Sequence, residues 1–77
     1  MASPYAAGTL LDTAWSSGHR QGLAVRQKDA SRAEAEARWF RSWLALQDPM
    51  GPRHRLRDAY SAGYTAGNPA PAVEYFL

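Results

Sequence analysis

Apolar positions recur at spacings of three and four along three stretches of the chain. The first runs through Leu11, Trp15, Gly18, Gly22 and Val25 and predicts a helix over 9–27. Thr9, with Asp12 three positions on, supplies a capping pair at its start. A polar break, Lys28-Asp29-Ala30, follows, and Ser31 with Glu34 reads as a capping box that opens a second helix. That helix carries two apolar stripes, Ala33-Ala37-Phe40-Leu44 and Ala35-Trp39-Trp43-Leu46. One stripe suffices for a single neighbour, so the doubled pattern predicts a central helix covered from both sides, leaving Arg32, Glu36 and Arg41 for the remaining face. Asp48-Pro49-Met50-Gly51-Pro52 ends it, with Pro52 suited to the first turn of a third helix. Leu56, Tyr60, Gly63 and Gly67 form the stripe of that helix, and Gly67-Asn68-Pro69 closes it. The expected fold is all-α: a three-helix domain over 9–68, between a loose arm, 1–8, and an extended tail, 69–77.

Composition supports that class. Fifteen residues are alanine, isoleucine is absent and valine occurs only at Val25 and Val73, a balance that favours helix over strand. The chain has no cysteine, which excludes disulfides, thiolate metal sites and cysteine nucleophiles. His19 and His54 are too far apart in sequence to form a local ligand pair, and no metal or cofactor is expected. No run approaches the roughly 18 apolar residues of a membrane span, so the expected setting is the bacterial cytoplasm without membrane contact. At 77 residues the chain has little core to spare, and a partner is a natural source of further support.

One stretch of the chain repeats. Ala14-Trp15-Ser16-Ser17-Gly18-His19-Arg20-Gln21-Gly22 aligns with Ala59-Tyr60-Ser61-Ala62-Gly63-Tyr64-Thr65-Ala66-Gly67 at an offset of 45, and Leu11 meets Leu56. Each pair of glycines four apart costs about 1–2 kcal/mol of helix propensity relative to alanine, a cost that makes sense only where something approaches the backbone closely. Trp39 and Trp43, also four apart, are the expected partners, so Trp15, Gly18, Gly22, Trp39, Phe40, Trp43, Tyr60, Gly63 and Gly67 are assigned to packing. Two glycine-faced helices are thus expected to clamp the tryptophan-bearing one.

Residues 14–45 resemble the ribosome modulation factor family, in which a first helix with an A-x-x-x-G-Y-x-x-G pattern packs on a second helix bearing W-x-x-x-W. Here the matching residues are Ala14, Gly18, His19, Gly22, Trp39 and Trp43, with histidine in place of the family's tyrosine. The resemblance implies a helix-loop-helix fold and, through the family's activity, contact with ribosomal RNA. The family's basic segment ahead of the first helix has no counterpart, since no Lys or Arg precedes Arg20, and its Cys-Pro-Tyr loop element is absent. The fold is therefore the stronger implication.

Catalytic spacing is lacking: Ser16 and Ser17 lie within a helix, the glycine pairs are mid-helix, and no carboxylate is placed to pair with a histidine. The expectation is a protein that is not an enzyme. Nine basic residues against seven acidic ones give a net charge of +2, with the densest cluster at Arg53-His54-Arg55-Leu56-Arg57. Cations at a helix start oppose its dipole, so Arg53, Arg55 and Arg57 are candidate contacts to an anionic partner. Arg41, Tyr64, Tyr75 and Phe76 join them, because the rings outnumber what three short helices hide. The functional expectation is a small interaction protein that inhibits a macromolecular machine, of the phage or mobile-element type that antagonises CRISPR effectors or regulators. Its partner would be a host protein or ribonucleoprotein complex. The alternative is a ribosome-associated modulator with RNA contact, and in either case a homodimer is a candidate assembly.

Overall fold

The computed structural model describes residues 2–47, 50, 51 and 53–69. Three helices follow in order: α1, Leu10–Arg26; α2, Ala30–Ala45; and α3, Arg53–Gly67. The all-α three-helix expectation is met. The expected turn residues Asp48, Pro49 and Pro52, and the tail from Ala70 onward, lie outside the described residues.

The ends of α1 follow from local chemistry. Thr9 accepts a hydrogen bond from the Asp12 amide at 3.2 Å, as its spacing predicts, and the Asp12 carboxylate accepts one from the Gly8 amide at 3.1 Å. At the other end Lys28 takes a left-handed conformation, φ 59°, while the Asp29 amide reaches back to the Ala24 carbonyl at 2.8 Å. This is a Schellman closure with lysine in the position glycine usually fills. The reversal lets Asp29, rather than Ser31, cap α2, its carboxylate accepting from the Arg32 amide at 3.1 Å. The cap therefore lies two residues before the expected one, with Arg32 rather than a glutamate three positions on.

The arrangement of the helices differs from the expectation. The central element is α1, which packs along α3 over most of its length and against α2 over less of it, while the backbones of α2 and α3 stay apart and meet through side chains. The glycines of the repeat face one another, and not the tryptophans. A Cβ at Gly18 would land on the Tyr60 carbonyl, and one at Gly22 on that of Tyr64. Reciprocally, Gly63 meets the Trp15 carbonyl and Gly67 that of His19. Residue numbers rise together along this seam, so α1 and α3 run parallel and are related by a pseudo-twofold axis that exchanges the two copies of the repeat. No side chain separates the backbones there. Two flat faces without Cβ atoms fit each other more closely than either fits an indole, which is why the repeat pairs with itself.

Side chains fill the other end of the bundle. Ala14, Trp15, Phe40, Leu44, Leu56 and Ala59 form the buried cluster, with Tyr5, Leu11, Trp43, Tyr60 and Ala66 packed against it. The pseudo-twofold axis offers α2 two equivalent grooves, and a polar link selects one. Ser17, fully buried, donates to Glu36 Oε2 at 3.2 Å, and Arg20 Nε donates to Oε1 of the same carboxylate at 2.9 Å. Their counterparts in the second copy are Ala62 and Thr65, which offer no such pair of donors to a carboxylate. Glu36 was expected on the solvent face and instead fastens α2 to α1. Across the chosen groove Phe40 stacks on Tyr60 with centroids 4.0 Å apart, the main bridge between α2 and α3.

Because one helix separation relieves both clashes, Gly18→Ala and Gly63→Ala are coupled. Each is expected to destabilise the fold by about 3 kcal/mol, with the double variant well short of the sum. Urea denaturation of the four proteins in the cycle measures this.

Candidate functional site

Of the two stripes on α2, only Ala33, Ala37, Phe40 and Leu44 turn inward; Ala33, Phe40 and Leu44 are buried. The second stripe is on the surface. Ala35 is exposed, Trp39 retains 45% of its accessible surface and Leu46 84%, while Trp43 is half-buried. Met50, just beyond the helix, is 92% exposed. The helix expected to be covered on two sides is covered on one. Trp39, assigned above to packing against glycines, instead stacks on Trp43 with centroids 6.0 Å apart and planes within 13°. Trp43 in turn leans on Phe40 at 5.7 Å, so the core fixes the position of the outer ring. A continuous apolar strip bounded by charged side chains is the form that protein-binding surfaces take.

Beside Trp39 the seam between α1 and α2 opens into a groove of about 500 Å³, lined by Arg20, Arg32, Ala35, Glu36 and Trp39. Arg20 and Arg32 are half exposed. Arg20 uses Nε on Glu36, while Arg32 has only a 3.9 Å approach to Asp29. Both guanidinium groups therefore keep donors for a further acceptor.

The arginine cluster divides. Arg53 Nη2 donates to the Ala45 carbonyl at 3.2 Å and the Gln47 carbonyl at 3.1 Å, satisfying groups at the end of α2. Arg53 thus has a structural role in the fold, and this role accounts for one cation at the helix start. Arg55, Arg57 and His54 are exposed on α3, and Arg41 is exposed on α2 away from the aromatic stripe. Tyr64 is half-buried, its backbone occupied by the glycine seam. Tyr75 and Phe76 lie outside the described residues. The structure brings Arg20 and Arg32 together with Ala35 and Trp39; of these, the second stripe of α2 signalled Ala35 and Trp39, and nothing in the spacing signalled the arginines.

Two titrating groups lie along the repeat. His19 stacks on Trp15 at 5.0 Å, and its pKa is lowered from 6.5 by burial first and by nearby positive charge, Arg20 included. Burial, then Glu36 and Tyr64, push the Tyr60 phenol up to about 12. Both groups are therefore neutral at pH 7. Among the described residues no helix is long and apolar enough to cross a membrane. Comparison with protein-family models, curated proteins and solved structures found no match to the chain.

The lowered His19 value means that the unfolded chain binds the proton more tightly. Its contribution is fully present above about pH 6.5 and is lost as pH falls through the folded-state value. His19→Tyr, which copies the residue at the pseudo-equivalent position 64, should flatten the fall in unfolding free energy between pH 7.5 and pH 5 relative to the parent. Denaturant titrations at both pH values check this. Arg53→Ala is expected to cost about 1–2 kcal/mol in the same assay, against less than about 0.5 for Arg55→Ala.

Proposed function

We propose that the chain is a non-catalytic interaction protein that binds and inhibits a macromolecular machine of a bacterial host, as small phage and mobile-element inhibitors do. The observation that carries this reading is the exposure of Trp39 and Leu46, on either side of half-buried Trp43, on a helix whose inner stripe is committed to the core. A domain this small has few large apolar side chains with which to build a core. Leaving Trp39 nearly half exposed and Leu46 largely in water is a cost that an interface recovers. Trp39 is well placed as an anchor: it is held by stacking before a partner arrives, so little side-chain entropy remains to be lost on binding.

The ribosome-associated alternative places the weight on arginine and phosphate. The two readings separate by salt and by variant. Tagged protein is expected to retain its partner from host lysate at about 0.1 M and about 0.5 M salt alike, and to lose it when Trp39→Ala and Leu46→Glu are combined. Arg55→Glu with Arg57→Glu is expected to leave retention intact. Capture that collapses with salt and with the arginine variant, but survives the stripe variant, would overturn the protein-docking reading in favour of ribosomal RNA. A second copy of the chain is the competing occupant. Light scattering at tens of micromolar is expected to give a monomer, and a dimer abolished by Trp39→Ala would assign the stripe to self-association instead.

A further inference from the structure

We infer that the groove beside Trp39 receives an acidic amphipathic segment of a protein partner, an assignment that rests on the docking reading and names the chemistry its site selects. Three features of the groove converge on it. Its apolar lining is Ala35, a small side chain on the exposed stripe, and Trp39, against which an aliphatic or aromatic side chain can seat. Arg32 lies seven residues before Trp39 on the same face of α2, and Arg20 faces it from α1. Both guanidinium groups stand at the rim with donors unspent, since Arg20 engages Glu36 through Nε and Arg32 meets Asp29 only at 3.9 Å. A carboxylate one helical turn from an apolar anchor meets this pattern directly.

The same geometry argues against nucleic acid as the occupant. The positive charge of the groove is confined to two guanidinium groups, one of them already engaged by Glu36. Beyond Trp39 the stripe continues through Trp43 and Leu46 with no cation of its own, while Arg38 and Arg41 project from other faces of α2. A phosphate backbone would find positive charge at one end of the site alone, whereas an amphipathic helix can use the whole strip.

The test uses the full chain and three fluorescein-labelled probes read by anisotropy. The probes are a helical peptide with leucine at its a and d positions and glutamate elsewhere, its lysine counterpart, and a single-stranded oligoribonucleotide. The glutamate peptide is expected to bind at least about tenfold more tightly than the lysine peptide. Arg32→Glu should erase that preference, and Trp39→Ala should weaken binding about tenfold or more. Arg55→Glu changes net charge by the same amount far from the groove, and it should leave the affinity unchanged; circular dichroism verifies that each variant is folded. The assignment is overturned by failure of the glutamate peptide to bind, by equal binding of the lysine peptide, or by an equal effect of Arg32→Glu and Arg55→Glu. Tighter binding of the oligoribonucleotide, lost with Arg32→Glu, would move the groove to RNA. If the peptide fails while lysate capture still depends on Trp39 and Leu46, the docking reading stands and only its acidic partner falls.

Discussion

The contact on which everything else depends is the one between two backbones. Gly18 and Gly22 on α1 lie against the carbonyls of Tyr60 and Tyr64, and Gly63 and Gly67 return the contact to Trp15 and His19. Four glycines in helices weaken those helices, and only close approach of the two chain segments offsets the loss through dispersion and Cα–H···O contact. Once the two copies of the repeat are paired, α1 and α3 must run parallel, and the intervening segment must return as an antiparallel helix in one of their two grooves. The polar pair Ser17 and Arg20, absent from the second copy, makes that choice through Glu36. The exposed position of Trp39 follows from the same sequence of constraints, since α2 has a single groove to fill and two apolar stripes with which to fill it.

Much of this was legible in the chain. The three helices, the Thr9 cap, the inward Ala33-Phe40-Leu44 stripe and the repeat itself are properties of local spacing, and local spacing is what periodicity reports. Which faces meet is a different question. Periodicity assigned Ala35, Trp39, Trp43 and Leu46 to a common face, and the size of the rings suggested burial. Yet a ring and a glycine face differ in shape, and the repeat already supplied a better complement to each glycine pair, namely the other pair. The link between Ser17 and Glu36 is not legible in the chain, because a serine inside a helix and a glutamate among arginines look like ordinary surface residues until α2 docks on α1. Arg53 was read as surface charge for a similar reason. Its role depends on the end of α2 lying within its reach, which the spacing of the charges alone does not reveal.

The candidate site inherits its character from this division of labour. The α1–α3 seam is dry, backbone-to-backbone and intolerant of added atoms, so it supplies rigidity but no recognition chemistry. The surface proposed for recognition lies on α2, whose inner stripe anchors it and whose outer stripe carries the stacked tryptophans and Arg32, with Arg20 facing them from α1. The outer rings are positioned by the inner ones: Trp39 rests on Trp43, Trp43 on Phe40, and Phe40 on Tyr60 of the repeat. A change at the glycine seam that displaced Tyr60 would therefore be felt at the surface. The proposed binding face and the fold are thus joined through one run of rings.

The central claim is that the repeat pairs with itself and leaves Trp39 outside. Isotope-edited nuclear Overhauser spectroscopy on the purified chain addresses it directly, because glycine α-protons are resolved and their neighbours differ completely between the two arrangements. The structure predicts cross-peaks from the Gly18 α-protons to backbone protons of Tyr60 through Tyr64, and from those of Gly63 to Trp15 through His19. Cross-peaks from these glycines to the indole protons of Trp39 and Trp43 would contradict it, and would return α2 to the centre of the fold.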